Sequence, residues 1–138
     1  MIEGLVIVPA VVMGVLIGII EILFVHSDEG AMGMTWLKHG FHALPFTILF
    51  VFVSMNVEWV LGLLPFALTG SFVTTIIVRA VVAVVAMLKV AGAAAIAPGV
   101  RGVGEKFPHI IIMGVLIFTA PYAWQYGLAP LIGAYIPF

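Results

Sequence analysis

The stretch Leu44–Phe66, "LPFTILFVFVSMNVEWVLGLLPF", decides the fold class, because it is almost entirely apolar and long enough to cross a bilayer. A transmembrane helix needs about 20 such residues, at about 1.5 Å per residue, to span the hydrocarbon core. This stretch nevertheless contains an asparagine, Asn56, and a glutamate, Glu58. A charge at the centre of a membrane helix costs about 2.5–3.5 kcal/mol on insertion scales, so Glu58 needs a partner or a task.

The composition of the whole chain agrees with a lipid environment. Of 138 residues, 64% are hydrophobic and 8% are charged, against about 45–50% and about 25% in soluble domains. A net charge of -1 offers no basic surface for nucleic acid. The absence of cysteine excludes disulfides and cysteine-ligated iron–sulfur clusters. We therefore expect a multi-pass integral membrane protein.

Four apolar runs predict an all-α integral membrane protein, a compact bundle of four transmembrane helices forming a single domain over residues 1–138. The runs cover about residues 4–25, 43–66, 71–97 and 109–130. No Lys or Arg precedes the first run and no convincing cleavage site follows it, so we interpret it as a span and not as a signal peptide. The short "ALTG" between the second and third runs predicts antiparallel neighbours. After residue 130 we expect the chain to turn along the interface or re-enter.

The first connection predicts a short interfacial helix. Met34, Leu37 and Phe41 follow a 3–4 spacing among polar residues, which is typical of an amphipathic helix lying at the membrane surface. We expect Pro45 to end this element and to turn the chain into the second span.

The basic residues outside the spans predict the orientation. Lys38 lies in the first connection, and Arg101 and Lys106 lie in the third. The termini and the middle connection contain no Lys or Arg. The positive-inside rule therefore places the first and third connections in the cytoplasm and both termini outside.

The charges within the spans can be matched by depth. Glu58 lies eight residues before the end of the second run, and Arg79 eight residues after the start of the third, so each is roughly 12 Å deep. We predict a Glu58–Arg79 ion pair, with Asn56 as a further hydrogen-bonding partner. On the cytoplasmic side, Glu21 is predicted to pair with Lys89, whose long stem reaches toward water.

Small residues accompany these charges. Gly14, Gly18 and Glu21 lie at i, i+4 and i+7, so a G-x-x-x-G face leads to the acid. A second face on the third run combines small residues with a charge: Arg79, Ala83, Ala86, Ala93 and Ala97. Small residues let membrane helices approach closely. The faces predict helix contacts and favour a homo-oligomer or docking onto a larger membrane complex.

Four histidines form a second candidate site near the cytoplasmic ends of the spans: His26, His39, His42 and His109. Neutral imidazoles and carboxylates together are ligands of zinc, iron or manganese, and two histidines on facing helices can hold a haem iron. The alternative is a set of interfacial, partly solvated histidines. We interpret Asp28 and Glu29 as a solvated acidic turn.

Two functions remain open from the sequence, and an independent enzyme ranks third because no nucleophile–base pair or strict metal motif is present. The leading hypothesis is a small oligomeric transporter or channel for protons, cations or a small solute, using Glu58, Arg79, Glu21 and Lys89. The other is a non-transporting membrane subunit of a larger complex, in which the charges fix the helix register and the histidines bind a metal or haem.

Overall fold

The regular structure of the described residues is helical throughout. The computed structural model describes residues 4–29, 35–64, 71–96 and 106–135. Its helices are α1 (Ile7–Glu29), α2 (Thr35–Met55), α3 (Val57–Gly62), α4 (Phe72–Ile96), α5 (Phe107–Ala123) and α6 (Ala129–Ile132). A π-helical segment, Trp124–Leu128, joins α5 to α6, and a 3-10 turn, Gly133–Tyr135, follows. Three helical stretches are long and apolar enough to span a membrane: Ile7–Asp28, Phe72–Gly92 and Phe107–Tyr135.

Helix α2 lies at the centre of the packing and contacts α1, α4 and α5. At one end of the molecule, Val6 at the start of α1 bonds Asn56 at the end of α2. At the other end, Asp28 in the last turn of α1 bonds Lys106 at the start of α5. Helix α1 therefore runs antiparallel to α2 and to α5. Arg79 near the start of α4 bonds Ser54 near the end of α2, so these two helices are also antiparallel, as the short "ALTG" connection predicts.

The second predicted span is interrupted, so the expectation of one helix over residues 43–66 is wrong. Helix α2 ends at Met55, and Asn56 takes a non-helical conformation with φ −119° and ψ 34° before α3 begins. The side-chain amide of Asn56 donates to the Phe52 carbonyl at 2.9 Å. Asparagine competes with the backbone for hydrogen bonds in this way, which explains the break. The apolar part of α2, Gly40–Met55, is shorter than the three spanning stretches.

The separate interfacial helix is also wrong for the described residues. Helix α2 begins at Thr35 and runs through Pro45, so Leu37 and Phe41 belong to its first turns. Proline removes one N–H from a helix, and membrane helices tolerate that loss where neighbouring groups satisfy the freed carbonyl. Met34, the remaining member of the predicted apolar face, lies outside the described residues.

The last helical stretch is longer than expected and continues to Tyr135. Pro121 lies inside α5 and cannot donate to the carbonyl of Ile117. The hydroxyl of Ser54 on α2 donates to that carbonyl instead, at 2.7 Å. The π-helical segment begins three residues after this proline, and Trp124 is buried there. A neighbouring helix therefore satisfies the carbonyl that the proline leaves free. The chain stays helical as far as Tyr135, beyond residue 130 where we expected it to turn along the interface or re-enter.

The glycine face of α1 forms the contact with α2. A Cβ on Gly14 would lie 2.8 Å from the Cα of Ile48, and one on Gly18 would meet the side chain of Leu44. On α4, Ala83 and Ala86 are buried. Ala93 and Ala97 of that face lie outside the described side chains. The prediction that small residues mediate close helix contacts is confirmed for these positions. Because the contacts are intramolecular, they do not indicate a second copy of the chain.

Candidate intramembrane polar site

Polar side chains from four helices meet where α2 ends. We call this group the polar cluster, and its members are Ser54, Glu58, Thr75, Arg79 and Tyr122. They come from α2, α3, α4 and α5. The break at Asn56 lies next to the site. It ends α2 inside an apolar stretch, and the last carbonyls of a helix are available to donors from outside the helix.

Ser54 connects two helix defects. It is fully buried, with 0% of its surface exposed. Its hydroxyl donates to the Ile117 carbonyl that Pro121 leaves free. Its own carbonyl, in the last turn of α2, accepts a hydrogen bond from Nε of Arg79 at 2.9 Å. One serine therefore joins α2 to α4 through its backbone and to α5 through its side chain.

Arg79 is held by α2 and α5 together. Its Nη1 donates to the hydroxyl of Tyr122 at 3.1 Å. Its guanidinium carbon lies 5.4 Å from the centre of the Tyr122 ring, within the range of a cation–π interaction. The side chain is half-buried. A carbonyl, a phenol oxygen and an aromatic face thus replace water around this charge, which explains how α4 carries an arginine in a stretch of high hydropathy.

Glu58 reaches the same face of α4 one turn away. The hydroxyl of Thr75 donates to a carboxylate oxygen of Glu58. Thr75 and Arg79 are four residues apart on α4, so their side chains lie on one face in successive turns. The structure thereby brings the acid of α3 and the base of α4 into one cluster. A direct Glu58–Arg79 ion pair stays a prediction.

Asn56 has a different role from the one the sequence suggests. It is buried, with 1% exposed, and its side-chain oxygen accepts from the Val6 amide at 2.7 Å. Its side-chain nitrogen donates to the carbonyls of Val6 and Phe52, at 3.2 and 2.9 Å. Asn56 therefore anchors the chain entering α1 to the break after α2. In the described part of the chain, its side chain bonds these backbone groups and not Glu58 or Arg79.

The structure gives Glu21 and Lys89 different partners. Glu21 is 1% exposed at the contact between α1 and α2, and the hydroxyl of Thr47 donates to its carboxylate. The ammonium of Lys89 lies 4.7 Å from the centre of the Phe46 ring. Thr47 and Phe46 are successive residues of α2 and point in different directions. The two charges therefore belong to different environments, and the predicted pair is replaced by a hydrogen bond and a cation–π contact.

The histidines are not gathered into a metal site in the part of the chain that the structure describes. No group of three or more His, Cys, Asp or Glu side chains there could hold a metal ion. His109 contacts Asp28 and stacks on Phe24, with ring centres 4.2 Å apart. His42 makes an edge contact with Phe46. His26 also has an interaction partner. The side chain of His39 is not among those that the structure describes.

The interpretation of Asp28 as a solvated residue is wrong. Its side chain is 1% exposed and accepts from the Lys106 amide at 2.8 Å and from Nδ1 of His109 at 2.7 Å. The ammonium of Lys106 lies 3.1 Å from the other carboxylate oxygen. These bonds join the end of α1 to the start of α5. The sequence contains a signal for this contact, because an antiparallel bundle puts the first connection, with Asp28, and the third connection, with Lys106, at the same end.

Comparisons of the chain with protein-family models, with curated proteins and with solved structures find no significant match, so the candidate site rests on its own geometry.

Proposed function

We propose that the protein is a small transporter or channel of four membrane helices, in which α2 and α3 together form the second span. In this proposal it is an oligomer, with both termini outside and the first and third connections in the cytoplasm. The candidate substrates from the sequence are protons, cations and small solutes. A carboxylate as the exchangeable charge favours protons or cations among them.

The observation that carries the proposal is the position of Arg79 beside a broken helix. Its guanidinium contacts the end of α2 and the Tyr122 side chain of α5, next to the break at Asn56. Interrupted helices near mid-membrane mark substrate and ion sites in many transporters, because freed carbonyls and helix ends are available there. Intramembrane charges are functional by default, since idle ones are expensive.

The chemistry assigned to the cluster is exchange at Glu58. The carboxylate accepts the hydroxyl of Thr75 and lies on an exposed part of the short helix α3. A proton or a cation arriving at Glu58 competes with that hydroxyl for the carboxylate oxygens. Arg79, one turn away on α4 from Thr75, supplies a fixed positive charge that limits how tightly a cation binds. Weak binding of this kind is a requirement for conduction.

A second function, a non-transporting membrane subunit, is favoured by one observation. The buried groups Glu21, Ser54 and Asn56 all have hydrogen-bond partners within the chain. Such bonds fix the helix register without any transported species. The metal or haem form of this hypothesis has no support from the described histidines.

Flux into proteoliposomes separates the two functions. Proton and alkali-cation flux would be compared for the wild type, Glu58→Gln and the matched control Thr75→Val, with empty vesicles as the baseline. We expect Glu58→Gln to reduce flux to the baseline, and Thr75→Val to alter the rate while preserving flux, because the acid remains. Wild-type flux at the baseline would support the subunit, and equal flux in the wild type and Glu58→Gln would remove Glu58 from conduction.

A further inference from the structure

Basic side chains of α2 and α4 lie at the end of the molecule opposite the polar cluster, and we call this group the basic groove. It is formed by Lys38, His42 and Phe46 on α2 and by Lys89 on α4. We propose that this basic groove binds the headgroup of an anionic phospholipid. The inference is independent of transport, since none of these four residues belongs to the polar cluster.

Two of the three nitrogen-bearing side chains meet at one aromatic ring, and the third lies on the same face of α2. Lys38, His42 and Phe46 are four residues apart in turn, so they form a stripe along one face of α2. The His42 ring contacts the Phe46 ring edge-on, with centres 5.5 Å apart. The Lys89 ammonium lies 4.7 Å from the centre of that same ring. Phe46 therefore holds His42 and Lys89 near each other, and Lys38 stands one turn closer to water.

The two lysines lie at different levels of their helices. Lys38 precedes the second apolar run, which begins near residue 43, by five residues, roughly 7.5 Å. Lys89 lies eight residues before the end of the third run at residue 97, roughly 12 Å inside it. A lysine stem reaches several ångströms toward water, so the ammonium of Lys89 extends from the hydrocarbon toward the headgroups where Lys38 lies. Basic pockets between membrane helices at this level are suited to anionic lipid headgroups.

Among the side chains that the structure describes at this end, the charges favour an anion in the groove. Two acids nearby have other partners. Glu21 accepts a hydrogen bond from Thr47, and Asp28 contacts both Lys106 and His109. Lys89 contacts the Phe46 ring, and within the described residues no ion pair joins it to an acid. A phosphodiester supplies the missing negative charge. Exposed apolar side chains of the same two helices would contact the acyl chains of the bound lipid: Phe41, Leu49 and Leu88.

Native mass spectrometry of the purified protein in detergent tests the proposal. Binding of dioleoyl phosphatidylglycerol would be compared with that of dioleoyl phosphatidylcholine, which has the same chains and no net charge. We expect preferential binding of phosphatidylglycerol to the wild type. Lys89→Gln should weaken that binding about fivefold, since one lysine near the surface contributes about 1 kcal/mol. Lys89→Arg should retain it, and Lys106→Gln is the matched control, because Asp28 already neutralises that lysine.

Three results of this binding comparison would overturn the proposal. They are equal binding of the two lipids, unchanged phosphatidylglycerol binding in Lys89→Gln, and the same loss in Lys106→Gln as in Lys89→Gln. If inorganic phosphate alone raises the melting temperature as much as the lipid does, the site binds free anions and the assignment to lipid is wrong. Should Lys89→Gln fail to fold, Lys38→Gln serves in its place, because this side chain is exposed and the expected loss is again about fivefold.

Discussion

The bond from Ser54 to the Ile117 carbonyl yields a prediction with an internal control. Pro121 is the reason that this carbonyl lacks a helical donor, and the Ser54 hydroxyl supplies one at 2.7 Å. Ser54→Ala should therefore leave a buried acceptor unsatisfied in an apolar environment, which costs about 1–3 kcal/mol. Interhelical hydrogen bonds in membrane proteins average about 0.6 kcal/mol, so we expect a value of about 1–2 kcal/mol.

The control is to restore the missing donor. In Pro121→Ala, the new backbone N–H at position 121 can bond the Ile117 carbonyl within α5, so the Ser54 hydroxyl is no longer needed. Ser54→Ala should then cost less than about 0.6 kcal/mol, the value of an ordinary interhelical bond. The free energy of unfolding would be measured for the wild type, both single variants and the double variant by titration with denaturing detergent in mixed micelles.

A second hydroxyl gives the baseline for this measurement. Thr119 donates to the Val115 carbonyl of its own helix at 2.7 Å. Thr119→Val therefore removes a hydroxyl without leaving a carbonyl next to a proline without a donor. We expect that change to fall within about 0.5 kcal/mol. If Ser54→Ala costs the same with and without Pro121, the two residues do not compensate each other, and the explanation of the proline defect is refuted.

The remaining predictions concern helix packing and the two ends of the bundle. Gly14→Ala should destabilise the protein by about 1–3 kcal/mol, because the new methyl group meets the α2 backbone. Gly92→Ala has open space around it and should stabilise the protein by up to about 1 kcal/mol. Equal melting temperatures of the two variants in detergent would contradict this packing. Asn56→Leu should speed amide hydrogen exchange at the start of α1, and unchanged exchange would contradict the anchoring role. Asp28→Ala should separate α1 from α5 more than Lys106→Gln does, because that lysine is largely exposed; spin-label distances measure the separation, and equal effects would contradict the assignment.

Part of this architecture follows from the sequence because the relevant physics is local. Apolar length predicts three of the spanning stretches, and the spacing of Gly14 and Gly18 predicts a close helix contact. Equal depth brings Glu58 and Arg79 into one cluster, since the short link between their helices constrains their relative height.

Other features depend on contacts between distant residues and could not be derived from spacing. Asn56 breaks a helix because Val6, fifty residues earlier, completes its hydrogen bonds. We expected Pro45 to end a helical element, yet it lies within α2. Pro121 also lies within a helix, α5. For Pro121 the compensating donor comes from another helix, and no pattern within one span can indicate that.

The central claim is that Glu58 and Arg79 act as one coupled unit within the helical bundle, and a double-mutant cycle tests it most directly. Unfolding free energies would be measured for Glu58→Gln, Arg79→Gln and the double variant in the same micelles. We expect each single change to destabilise the protein and the double change to cost at least about 0.5 kcal/mol less than their sum. Additive costs would contradict the coupling and leave the polar cluster as two unrelated hydrogen-bonded charges.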